Sequence, residues 1–250
     1  LTSDRQPVNV IRTGPIDAYA HRHRERPVPC GISIGRHGTA NDAGTLGALA
    51  RGRSGPRANR LLLLSNNHVI ANSNAAAVND PIVQQGRLDG GNDPADRIAV
   101  LERWVTIDFA AGAANFVDCA TGWCWPDRVR PDFIFSSGGA WQYFRVSTMI
   151  GGASVGMGVG KSGRTTQLTS GRVIDHRASI QVNYPGRGVA NFRDQISIQG
   201  NPMQFSMPGD SGSLIWGWDS VRRPVGLLFA GGGQITFANK IDHVLNALDI

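Results

Sequence analysis

The chain has 250 residues, 41% hydrophobic and 18% charged. This balance excludes a disordered chain and fits one large packed domain or two small ones sharing a core. No apolar run approaches the ~20 residues of a membrane helix. The net charge of +6 comes from arginines scattered along the chain (only Lys161 and Lys240 are lysines), which reads as a solvated surface and not as a nucleic-acid site.

With 32 glycines, 13 prolines and many short apolar runs, the sequence favours an all-β domain rich in turns. Residues 1–27 are polar and weakly patterned, and read as an arm lying on the domain. The chain opens on Leu1, not Met, which leaves a processed start open, and shows no charged-then-apolar leader pattern. Strands are expected at 31–34, 45–50, 60–65, 98–107, 116–120, 171–174, 179–182, 195–198, 213–216 and 225–229. Residues 51–59 and 86–96 read as loops, and Tyr184-Pro185-Gly186-Arg187-Gly188 as a hairpin tip. At the end, Asn239 is expected to cap a helix whose Ile241, Val244, Leu245 and Leu248 form one apolar face. Many short strands and one terminal helix suggest a β-barrel architecture.

The segment most suited to chemistry is Pro208-Gly209-Asp210-Ser211-Gly212-Ser213-Leu214. Flanking glycines let a backbone turn sharply, and amides in such a turn can hold a negative oxygen. Ser211 is then the candidate nucleophile, with the amides of Gly209 and Ser211 as its oxyanion donors. Alone, the tripeptide also fits a plain tight turn. A serine needs a base, and the base an orienting carboxylate. His68 follows the run Leu61-Leu62-Leu63-Leu64 through the polar Ser65-Asn66-Asn67, at the edge of a core. His21, His23 and His37 stand in polar stretches and read as surface residues. His176 and His243 each follow Asp in segments with a structural reading. Asp118, between Val117 and Cys119, reads as an inward acid that needs a partner such as an imidazole N–H. Asp108 is its structural competitor.

Gly209-Asp210-Ser211-Gly212 resembles the nucleophile motif of the trypsin/chymotrypsin-like serine peptidases. Ser65-Asn66-Asn67-His68-Val69 is similar to the histidine segment of their HtrA-type branch. Asn115-Phe116-Val117-Asp118-Cys119-Ala120 is similar to the Asp segment of bacterial members, and Ser162-Gly163-Arg164-Thr165-Thr166 resembles a motif of the α-lytic branch. The order His, Asp, Ser and the spacings of 50 and 93 residues agree with that family. The resemblance implies two packed six-stranded antiparallel β-barrels with a C-terminal helix and an active site between them. Residues 28–135 would form the first barrel, carrying His68 and Asp118, and 136–250 the second, carrying Ser211. It implies a protein or peptide substrate, no cofactor, no metal, no nucleic acid and no membrane, and leaves room for a regulatory partner.

The departures carry information too. Ser213 stands where many relatives have a second glycine. Cys30, Cys119 and Cys124 do not reproduce the disulfides of secreted relatives, which favours an intracellular enzyme. In the α-lytic branch an arginine before Ser-Gly-Arg-Thr-Thr pairs with the Asp preceding the nucleophile. Lys161 holds that place here, so a buried Lys161–Asp210 ion pair is expected to shape the oxyanion loop. By the same resemblance Phe205 lies at the base of the specificity pocket, Ser206 and Met207 continue its wall, and Phe229-Ala230-Gly231 pairs with substrate backbone. With no acid there, the pocket should take a small to medium apolar residue, unless Asp219 folds into it.

Weaker signals are set aside. Gly160-Lys161-Ser162 lacks the glycine that a phosphate loop needs at Val155. Cys119 and Cys124 lack zinc spacing and a second pair, and His21-Arg22-His23 reads as a solvated stretch. An α/β-hydrolase would order its triad Ser, acid, His, the reverse of this chain. The expected function is a serine endopeptidase. The alternative from another class is a catalytically silent domain of the same fold acting as a protein-binding module, which covalent labelling of Ser211 would discriminate.

Overall fold

The structure is a computed structural model that describes residues 21–38, 43–201 and 203–250. Leu1 and most of the arm expected at 1–27 lie outside the described residues. The first part of the chain carries β1 (Val28–Cys30), β2 (Ser33–Arg36), β3 (Gly44–Thr45), β4 (Ala48–Ala50), β5 (Leu62–Ser65), β6 (Pro81–Val83), β7 (Arg97–Trp104) and β8 (Ala120–Cys124). Two one-turn helices, α1 (Gly55–Ala58) and α2 (Asn67–Ile70), flank β5, and a 3₁₀ turn covers Arg87–Asp89. There follow β9 (Val129–Ser137), β10 (Ala140–Phe144), β11 (Gly158–Gly163), β12 (Gln167–Tyr184), β13 (Gly188–Gly200), β14 (Leu214–Gly217), β15 (Pro224–Gly232), β16 (Ile235–Lys240) and the terminal helix α3 (Ile241–Leu248).

Seven strands of the first part form one sheet in the order β3-β2-β6-β7-β8-β5-β4. Its two edges are one stretch of chain, the strand expected at 45–50, bent at Leu46 and Gly47. Leu46 N–H donates to Ile32 O at 3.0 Å, and Gly47 N–H to Leu64 O at 2.9 Å. The bent stretch therefore bonds to both flanks and rolls the sheet into a barrel of six strand segments. Gly47 has no room for a side chain, because a Cβ there would meet the carbonyl of Gly212. The turn that carries Ser211 thus lies against the bend of the first barrel. The second part closes as β11-β12-β13-β16-β15-β14, and β1, β9 and β10 form a third small sheet. The architecture is all-β, two barrels with a C-terminal helix.

Burial explains the packing. Leu62, Leu63 and Leu64 are buried in the first barrel with Ile82, Ile98 and Leu101. Val159, Val173, Ile198, Ile215 and Leu228 fill the second. The α3 face of Ile241, Val244 and Leu248 joins the core of the first barrel, while Leu245 packs partly buried beside it. Arg57 Nη1 donates to Leu248 O at 2.8 Å, satisfying a carbonyl left open at the helix end.

Several local expectations differ from what is observed. The strand expected at 116–120 begins only at Ala120. Around Asp118 the backbone bonds to side chains instead of a ladder: its N–H donates to Asn239 Oδ1 (2.9 Å), and its carbonyl accepts from Asn66 Nδ2 (2.7 Å). Asn239 does not cap α3. Lys240 is the N-cap residue, without a side-chain cap bond, and the Asn239 side chain is turned inward to Asp118. The segments 171–174 and 179–182 belong to one long strand, β12, whose register slips between Val173 and Ile180. The loop at 51–59 contains α1, and the loop at 86–96 contains the 3₁₀ turn. Strands β1, β6, β9, β10, β11 and β16 lie outside the expected segments. In β11, Gly-Val-Gly-Lys-Ser-Gly, glycine and a buried lysine hide the alternation.

Candidate active site

His68 sits in α2, directly after the buried strand β5, so the end of the barrel wall aims its ring. The turn before it is tied down on both sides. Asn66 reaches the Asp118 carbonyl, and Asn67 Nδ2 donates to Asn74 Oδ1 and to Val105 O, each at 2.7 Å. Asp118 is fully buried. Its Oδ2 lies 2.6 Å from His68 Nδ1, and its Oδ1 accepts the His68 backbone N–H at 3.2 Å. That pairing fixes the tautomer with the proton on Nδ1 and leaves Nε2 free to take another. Asp108, the competitor, is exposed and bonds to the backbone of Ala110 at 2.8 Å.

A cleft of about 610 Å³ runs across the mouth of the second barrel. His68 and Ser211 both line it, along with Tyr184, Ser206, Met207, Phe229, Ala230 and Gly231. The two side chains share the cleft without a hydrogen bond between them in this structure. Such bonds are commonly loose before substrate closes the site.

The turn around the candidate nucleophile Ser211 is held by its carbonyls. Pro208 O accepts from Thr165 Oγ1 at 2.8 Å. Asp210 O accepts from Ser213 Oγ at 2.7 Å and from Ser213 N–H at 3.0 Å. A trans peptide points its N–H opposite its C=O, so the N–H groups of Gly209 and Ser211 are turned away from these donors. Gly209 has φ +98, a conformation that suits glycine and is strained for other residues. Thr45, at the bend of the first barrel, clamps the same turn. Its N–H donates to Ser211 O at 2.8 Å and its hydroxyl to Gly209 O at 3.0 Å.

Beneath the turn lie buried charges. Lys161 Nζ is 3.6 Å from Asp210 Oδ2, and both side chains are fully buried. Asp210 also accepts four hydrogen bonds, from the N–H groups of Thr165, Thr166 and Met207 and from Thr166 Oγ1. Burial lowers Lys161 to a pKa of about 8 against the opposing pull of Asp210. Arg164 turns elsewhere, forming a two-pronged pair with Asp89 at 2.6 Å on each prong.

The pocket expectation needs a correction. Phe205 does not line the cleft; it is fully buried in the core of the second barrel, beside Val173 and Ile198. An apolar ring is more stable among those side chains than facing water. Gln204 lines the cleft in its stead, with Ser206 and Met207. Ser206 Oγ is paired with Thr236 Oγ1 at 2.7 Å. Asp219 faces a different depression, with Phe144, Trp216 and Trp218, and bonds to the backbone of Val221 and Arg222. Among the described residues no acid lines the cleft.

His21 also differs from expectation. It is fully buried, with Nδ1 donating to Gly31 O at 2.8 Å and its ring edge against Trp141. His23 is partly buried and stacks on Trp141. The three cysteines are free thiols. Burial pushes Cys30 up to about 12, and raises Cys119 and Cys124 as well, so none is a ready nucleophile. Among the described residues no cluster of three or more His, Cys, Asp or Glu is suited to a metal, and no helix is long and apolar enough to cross a membrane.

Sequence reasoning missed Tyr184, Thr45, Asn239 and Gln195. Each acts on the site across a gap of more than 40 residues, as in the Asn239 Nδ2 donation to Gln195 Oε1 (2.7 Å), and no local pattern signals such a contact. For Tyr184 the one available hint is its place beside a Pro-Gly turn.

No family model matches the sequence, and no curated protein matches it. Solved structures do. The Nocardiopsis protease NAPase is 18% identical over 89% of this chain and 96% of its own, with a TM-score of 0.59. Thermobifida fusca protease A is 16% identical over 88% of this chain and 94% of its own, at 0.57. A Cellulomonas bogoriensis chymotrypsin is 18% identical over 88% of this chain and 94% of its own, at 0.55. The chain therefore has the fold of the chymotrypsin-like bacterial serine proteases.

Proposed function

We propose that the chain is a serine endopeptidase that cuts protein substrates through an acyl-enzyme formed on Ser211. The observation that carries this reading is the buried Asp118 carboxylate 2.6 Å from His68 Nδ1, in a cleft that Ser211 also lines. His68 Nε2 takes the Ser211 proton as Oγ attacks the peptide carbonyl, and later gives it to the leaving amine. Asp118 orients the imidazole and stabilises its charged form. The N–H groups of Gly209 and Ser211, set by the carbonyl bonds of their peptides, receive the oxyanion. Residues 28–135 and 136–250 are taken as the two barrel units, with the β9–β10 hairpin spanning their border.

Substrate backbone is read as adding to the edge at Phe229, Ala230 and Gly231. The side chain before the cut enters the space beside Gln204, Ser206 and Met207. A cation there would be desolvated with no acid to pair with, so an uncharged, small to medium apolar residue is favoured.

The test is titration with a fluorophosphonate. Labelling of Ser211 that is lost in His68→Ala supports the peptidase. Absence of labelling at any pH supports the silent binding module. A peptide-library digest then reads specificity, and enrichment of Arg or Lys before the cut overturns the apolar pocket.

A further inference from the structure

Among the described residues three groups bond to the Asp118 carboxylate, and two of them belong to His68. The third is the hydroxyl of Tyr184, which donates to Asp118 Oδ2 at 2.8 Å. Oδ2 is also the oxygen that faces His68 Nδ1, so one acceptor atom serves both rings. Tyr184 comes from the end of β12, where the turn begins, and Asp118 from the first barrel; the bond crosses between them. The tyrosine ring is itself locked. It lies edge-on to Phe109 with centroids 5.6 Å apart, beside Phe192 at 6.3 Å and edge-on to His68 at 6.0 Å. Ile107, Phe192 and Phe229 are buried around it.

We propose that Tyr184 is a positioning residue for the triad: its hydroxyl holds the Asp118 carboxylate in the plane that serves His68 Nδ1. This rests on the peptidase reading for its consequence and on the geometry alone for its existence.

The physical argument has three steps. A carboxylate with bonds only from one ring and that ring's own backbone can swing with the ring. A third donor on a separate rigid element removes that freedom. Burial, and after it the Asp118 charge, raise the Tyr184 hydroxyl well above its ordinary value, so it remains a donor wherever the enzyme would work. Finally, Tyr184 also lines the cleft, and substrate seated against its ring would shield the Asp118 contact from water.

The experiment uses Tyr184→Phe, which keeps the ring and removes the bond. A hydrogen bond to a charged group is worth enough to change a rate by about tenfold. Turnover of a peptide substrate should fall about tenfold with KM within about twofold, because the group acts on the reacting machinery and not on ground-state binding. The low-field proton resonance of His68 Nδ1 should shift. In an Asp118→Asn background the extra effect of Tyr184→Phe on the Ser211 labelling rate should shrink to within about twofold, since the two changes act through one carboxylate. A ring that served packing alone would leave the resonance in place and add its full effect in that background; either result overturns the proposal. If the parent chain neither labels nor hydrolyses, the peptidase reading fails and the resonance alone decides. A shift on Tyr184→Phe then supports the contact, and an unmoved resonance overturns it. Tyr184→Ala, which removes ring and hydroxyl, reports through its thermal midpoint what the ring adds to folding.

Discussion

The two sides of the cleft are held by different physics. On the His68 side every partner of Asp118 is neutral in net charge or shared with the imidazole: Asn66, Asn239 and Tyr184, with Gln195 behind Asn239. On the Ser211 side the supports are charged. Lys161 faces Asp210 and Arg164 faces Asp89. The ring of His21, kept uncharged by burial, lies within reach of Ser162, next to Lys161 in the chain. The division matches the chemistry that the proposed reaction would ask of each. A lone working carboxylate beside an imidazole keeps its full effect when its other neighbours are dipoles. A nucleophile turn asks for rigidity, which four hydrogen bonds and a cation on Asp210 supply. It follows that the second side should carry the pH dependence, losing stability in acid through His21 and gaining it above about pH 8 through Lys161.

The largest expected effect comes from breaking the charged side outright. Asp210→Asn removes the anion while Lys161 stays buried, and Lys161→Met removes the cation while Asp210 stays buried. Leaving one partner of a buried pair costs about 3–5 kcal/mol. The lysine change should fall at the low end, because Asp210 retains its four hydrogen bonds, whereas Lys161 keeps two, to Thr166 Oγ1 and Gln167 O, and a distant Phe205 ring 5.9 Å away. Chemical denaturation of both variants measures the difference, and equal losses would argue against the ranking.

The next effect uses acid. His21 is buried with its pKa lowered to about 4, chiefly by burial. Its Nε2 has no hydrogen-bond partner among the described residues, so a proton there would find no acceptor among them. In the unfolded chain the group titrates near 6.5. Between those values the unfolded state binds the proton and the folded state does not, so stability falls as pH drops from about 6.5 to about 4. The shift corresponds to about 3 kcal/mol across the window. His21→Gln removes the titration, so the variant should show a flatter stability profile there. A parent-like slope would assign the acid sensitivity to another group.

What could be read from the chain follows the same division. The grouping of Ser211, His68 and Asp118 at one cleft was legible because each sits in a short motif whose residue types have a chemical reason to adjoin. The bend at Leu46 and Gly47 was legible only as a continuous strand, since nothing local shows that it bonds to two neighbours. Phe205 illustrates the opposite failure. Its distance from Ser211 placed it at the pocket base, but a ring with a free core position beside Val173 and Ile198 packs there instead. Asn239 read as a helix cap because Asn before an apolar helical run usually is one. Asp118 N–H, buried and lacking a strand partner, competes for the same side chain and wins, since an unbonded buried amide costs more than a missing cap at a helix end near water.

That competition supplies the smallest and sharpest test of the comparison. Asn239→Ala removes the acceptor of the Asp118 N–H and the donor to Gln195 Oε1, leaving two buried groups unpaired. The expected loss is about 1–3 kcal/mol. No charge is created or removed, and neither Asn239 nor Gln195 titrates, so the loss should be the same at pH 6 and pH 9. Lys161→Met should behave otherwise. The parent lysine is charged below about 8 and increasingly neutral above it, while the unfolded lysine holds its proton to about 10.5. Over that interval the parent gains stability from the lysine as pH rises, because the unfolded state binds more protons. The variant lacks that rise. The gap between parent and Lys161→Met should therefore widen from pH 8 towards pH 10, while the gap between parent and Asn239→Ala stays level. Parallel denaturation curves for the two variants across that range would show that the sides are not held differently, and would remove the basis for treating the cleft as a dipolar half joined to an ionic one.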